Sequence, residues 1–107
     1  MAFGITREEL REWQQKVRQG SIAFLTHYWY DARFPHCRSV TKVGCAHIHN
    51  LKKWGMTYDL SPDLIDYHHK YPHFDLFGDL QLHILMKENQ WEQINRFRLK
   101  NRHFNIF

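Results

Sequence analysis

The sequence predicts a small α/β or α+β domain, a compact sheet with helices packed on it. Three observations lead there. A strongly capped amphipathic helix opens the chain, short apolar runs of strand length follow it, and further helical periodicity fills the second half. At 107 residues, 43% of them hydrophobic and 16% aromatic, the chain carries enough apolar surface for one hydrophobic core. A disordered chain is excluded on the same ground.

The first helix begins at Thr6. Thr6 and Glu9 have capping-box spacing, and Ile5 and Leu10 flank them as a hydrophobic staple. Leu10, Trp13 and Val17 recur on one face, Glu12 and Lys16 pair at i,i+4, and Gly20 supplies the stop after about Arg18. Ile22 to Leu25 is a continuous apolar run that reads as a buried central strand. It leads into the aromatic segment Thr26 to Asp31, which Phe34-Pro35 interrupts.

Val40 to Val43 is a second strand candidate, closed by Gly44. From Cys45 to Trp54 the spacing of Ile48, Leu51 and Trp54 predicts a helix that stops near Gly55. Ser61-Pro62-Asp63 starts either a helical turn or, through Leu64 to Tyr67, an edge strand. Residues 79 to 88 are helical in pattern, with Leu80, Ile84 and Leu85 facing inward. Trp13, Trp54, Phe24 and Leu51 are expected in the core.

A boundary is expected at residue 89, with a compact domain over 1–89 and a basic extension over 90–107. The extension holds Arg96, Arg98, Lys100 and Arg102 against Glu92 alone, whereas the whole chain has a formal net charge of +4. Its charges alternate with Phe97 and Leu99 in strand periodicity, although a helical or disordered tail fits the same residues. Such a tail suits nucleic acid or an acidic protein as partner, or a solvated edge protected by its charges.

No stretch reaches the length of apolar sequence a membrane span needs, and the N-terminus lacks signal-peptide character, so no membrane role and a cytoplasmic location are expected. Cys37 and Cys45 are then expected as reduced thiols. Walker-type and dinucleotide glycine motifs are missing from the sequence.

The richest local chemistry lies in Pro72-His73-Phe74-Asp75-Leu76-Phe77-Gly78. Imidazole and carboxylate together serve proton transfer or bind a divalent metal. His73 and Asp75 are therefore catalytic candidates, with Asp31 and Arg33 beside them, and His27, Asp66, His73 and Asp75 are candidate ligands for Mn²⁺, Mg²⁺ or Zn²⁺. Arg33 is suited to hold an anionic small molecule, in particular a phosphate. Each has a structural alternative: Asp75 as a helix cap, His73 as a loop tie, Arg33 as the ion-pair partner of Asp31. Cys37, Cys45, His47 and His49 fit zinc poorly, because they form no knuckle and the two histidines diverge on a helix.

Taken with Thr26 to Asp31, Val40 to Cys45 and Trp54-Gly55, the Pro72 to Gly78 box resembles the small YneQ-like proteins of Bacillus relatives over roughly residues 1 to 88. More distantly it is similar to a bacterial and phage family with a Pro-His-Tyr-Asp-Leu box, where Asp31 would match an acidic strand residue, Tyr58 to Leu60 a turn, and Phe74 the tyrosine. Both resemblances imply a compact domain; neither brings a reaction. Two functions follow as expectations. One is a metal-assisted or acid/base hydrolase acting on a phosphate-containing substrate; the other is a binding module for nucleic acid or protein.

Overall fold

A computed structural model describes residues 3–99. Helix α1 (Arg7–Arg18) is followed by strands β1 (Ala23–Tyr28) and β2 (Ser39–Gly44), helix α2 (Ile48–Met56), strands β3 (Ile65–Asp66) and β4 (His73–Leu76), and helices α3 (Gly78–Lys87) and α4 (Trp91–Arg96). The sheet order is β1-β2-β4-β3 and every pairing is antiparallel, which makes the fold α+β.

The start of α1 forms as its sequence dictates: the Thr6 hydroxyl accepts from the Glu9 amide and the Glu9 carboxylate accepts from the Thr6 amide. Gly20 ends the helix turn with φ +87°, a left-handed conformation that costs glycine little. The helix lies on one sheet face, burying Trp13 and Val17 against Ala23 and Leu25. Gly44 permits that approach, since a Cβ there would stand 2.7 Å from the Trp13 ring and 2.9 Å from Val17.

The opposite sheet face carries the main core, in which Val43, Leu51, Phe74, Leu76 and Ile84 are buried together. A second cluster of Leu82, Leu85 and Ile94 continues it beneath α3 and α4. A polar network runs through this face. Gln81 donates to Thr41 at 3.0 Å, Thr41 and Thr26 share a hydrogen bond at 2.7 Å, and Thr26 donates to Gln93 at 2.5 Å.

Several expectations are corrected. β1 is an edge strand; it reads as central because α1 packs Ala23 and Leu25 on one side while Phe24 packs on the other against Trp54 and the α3–α4 cluster. Both readings of residues 61–67 hold in succession, as a 3-10 turn Pro62–Leu64 runs into β3. α2 continues through Gly55, whose missing side chain admits the Phe74 ring. Leu80 is exposed, and Gln81 and Leu82 turn inward in its place.

Beyond residue 89 the chain folds back on the sheet. Ile94 and Phe97 are buried, and Arg96 pairs with Glu9 while donating to the Gly4 carbonyl. The first charge of the proposed basic strand thus belongs to a helix; Lys100 and Arg102 lie outside the described residues. Among the described residues no helix is long and apolar enough to cross a membrane, and Cys37 and Cys45 are free thiols.

Candidate metal centre on the sheet face

Antiparallel register decides which side chains meet. Lys42 of β2 is opposite Asp75 of β4, Gly44 is opposite His73, and His73 is opposite Asp66 of β3. Residues directly opposite project from the same face. Lys42, Asp66, His73 and Asp75 therefore form one polar cluster on the face that α1 only partly covers.

His73 is the buried member. Its side chain is 7% exposed, against 60% for Asp66 and 40% for Asp75. The Trp13 ring meets it edge-on at 6.2 Å, and its Nδ1 lies 2.7 Å from the Tyr71 carbonyl oxygen. A carbonyl only accepts, so Nδ1 carries a proton and Nε2 faces the cluster. Nε2 is 3.7 Å from Asp66 Oδ2, 3.5 Å from Asp75 Oδ2 and 3.2 Å from Lys42 Nζ.

The ligand atoms of Asp66, His73 and Asp75 all lie within 4.8 Å of one another. A backbone carbonyl on Nδ1 with Nε2 turned outward is the usual orientation of a metal-binding histidine. Burial pushes the Asp75 carboxyl up, but the adjacent His73 ring and the charge of Lys42 outweigh that and hold it below the usual range. The carboxylate is thus ionised at neutral pH.

The remaining candidates stand apart. His27 projects from the same sheet face, one pair along from Leu25 opposite Lys42. Its Nδ1 donates to the Tyr28 carbonyl at 2.9 Å, and its buried Nε2 has no hydrogen-bond partner among the described residues. Burial lowers its pKa, which keeps the ring neutral. It does not join the ligand group.

Asp31 and Arg33 form an exposed pair in the loop between β1 and β2, with Arg33 Nη2 at 2.6 Å from Asp31. The guanidinium holds the Asp31 carboxyl at about 2. Neither residue reaches the cluster, because the loop turns the pair on itself. The alternative assignment of Asp75 as a helix cap is also displaced: Asp75 lies in β4, and the N-cap of α3 is Phe77. Cys37, Cys45, His47 and His49 form no metal group among the described residues; the Cys45 thiol donates to the Gly20 carbonyl.

Lys42 is the member that sequence reasoning missed. Its signal is faint: a lysine beside a threonine in a six-residue strand, which gains meaning only when the register with Asp75 is known. A cavity of about 370 Å³ lies elsewhere, along the outer edge of β1 between α1 and α4. The cluster itself is an open polar face.

Over 99 residues, 92% of this chain and 100% of the relative, the sequence is 52% identical to the uncharacterised protein YneQ of Bacillus subtilis. The chain belongs to the YneQ family. A match of that length takes in α4, so the YneQ likeness reaches further than the motifs before residue 89 imply. No protein-family model and no solved structure matches the chain, and the more distant likeness to the Pro-His-Tyr-Asp-Leu family gains no support.

Proposed function

We propose that Asp66, His73 and Asp75 hold a divalent cation and that the site assists hydrolysis of a phosphate-containing substrate. The observation that supports this reading is the convergence of two carboxylates on a histidine whose proton is fixed on the far nitrogen. One imidazole with two carboxylates suits Mn²⁺ or Zn²⁺ better than Mg²⁺, which prefers oxygen ligands alone. A bound cation would supply an activated water and polarise a phosphoryl oxygen. Lys42, and not Arg33, is placed to attract the anionic group.

The test is calorimetric titration of the full chain with Mn²⁺ and Zn²⁺, followed by thermal melts and turnover of p-nitrophenyl phosphate. Saturable binding that raises the melting temperature in the parent and is lost in His73→Ala is expected. No metal response in the parent sinks the reading.

A second reading, a binding module, draws on the β1–β2 loop. Trp29, Phe34 and Phe77 cluster there with ring centroids 4.8 to 6.4 Å apart, Arg33 lies over Phe34, and Tyr30 is 70% exposed. Such a surface suits stacking on bases or on a partner's side chains. The basic tail contributes less than its charge suggests, because Arg96 is engaged by Glu9.

A further inference from the structure

Lys42 occupies the ground that the proposed metal needs. Its Nζ is 3.0 Å from Asp75 Oδ1 and 3.2 Å from His73 Nε2, which are atoms of two of the three ligand residues. The ammonium donates towards the Nε2 lone pair and neutralises part of the charge of the two carboxylates. A divalent ion bonded to the same groups would face that ammonium at close range in a partly desolvated setting, where like charges repel strongly.

The backbone cannot relieve the conflict. β2 is an inner strand, and its register fixes Lys42 between Leu25 and Asp75. The side chain can, because it is 29% exposed and long enough to turn to solvent.

We infer that Lys42 is a resident counter-cation: it holds Asp75 and His73 together when no metal is present, and a metal must displace it to bind. The inference rests on the metal reading above and adds the residue that sets the site's affinity. It also gives the loaded site a sign. Two carboxylates, a divalent cation and a displaced ammonium that stays on the same face leave a net positive charge, which draws an anion.

The experiment is titration of the full-length parent, Lys42→Met, Lys42→Arg and the double variant Lys42→Met/His73→Ala with MnCl₂ and with ZnCl₂. Removing the ammonium should tighten binding on the order of tenfold, while Lys42→Arg keeps the parent's affinity. Metal-free Lys42→Met should melt below the parent and gain more from saturating Mn²⁺ than the parent does. Adding His73→Ala should abolish the gain, tying it to this site. Lys42→Gln reads the same quantity should the methionine variant fold poorly.

Metal binding by the parent with equal or weaker binding by Lys42→Met and Lys42→Gln overturns the counter-cation and leaves the metal site standing. Binding by none of the proteins removes the metal reading and this inference with it.

Discussion

Gln81 and Lys42 show what a single polar side chain does on each face of the sheet. Gln81 is buried, and its amide donates to Thr41 at 3.0 Å and to Ser39 at 3.3 Å. Gln81→Ala leaves those hydroxyls short of a partner and opens a small cavity. A loss of about 1 to 3 kcal/mol is expected, readable as a lower denaturant midpoint at unchanged m-value; an unchanged midpoint would mean that water replaces the amide. His73 and Asp75 are legible as residue types, since imidazole and carboxylate two apart invite chemistry wherever they fall. Lys42 is not, because its partner lies 33 positions away across a strand pair. Leu80 and Gln81 fail for a related reason: helical spacing does not say that a neighbouring strand offers threonine and serine to an inward glutamine.

The helices differ in how far local sequence specifies them. α1 carries its own start and stop signals, so its capping box and buried stripe are readable without knowledge of the rest. α4 has no side-chain cap and spans six residues, too short to hold itself together. It exists because Ile94 and Phe97 are buried and Gln93 donates to the edge carbonyl of Phe24 at 3.1 Å. The Gln93–Phe24 contact spans 69 residues of sequence, so the helix depends on partners that no local pattern reveals. Ile94→Ala should therefore cost about 2 to 4 kcal/mol in chemical denaturation. Truncation after Asn89 should lower the melting temperature sharply relative to truncation after Leu99; equal melts for the two would show that α4 adds nothing to the domain. β4 escapes sequence reading as well, since four residues ahead of a helix carry too little alternation to separate strand from loop.

At the scale of the whole molecule the sheet separates two tasks. Its apolar face meets α2, α3 and α4 and makes the core, while its other face shares itself between α1 and the polar cluster. The two ends of the described chain are joined by Glu9 and Arg96, and that pair gives stability a pH signature. The hydrogen bond from Arg96, with that from Thr6, holds the Glu9 carboxyl at about 2, well below its ordinary 4.5. A depressed acid contributes stability that is complete above the ordinary value and lost as pH falls towards the folded one. Glu9→Gln keeps an acceptor for the Thr6 amide and removes the charge. The stability gap between parent and variant should be constant above about pH 5 and close as the pH falls from 4.5 to about 2; a gap independent of pH would assign the effect to packing. The order of synthesis gives the same pair another consequence. α4 is the last described element to leave the ribosome, and until it docks, the outer edge of β1 at the Phe24 carbonyl lacks its cover. A nascent chain stalled before residue 90 should thus present the outer edge of β1 to chaperones while Phe24 keeps Trp54 against it, and release of α4 should end that exposure.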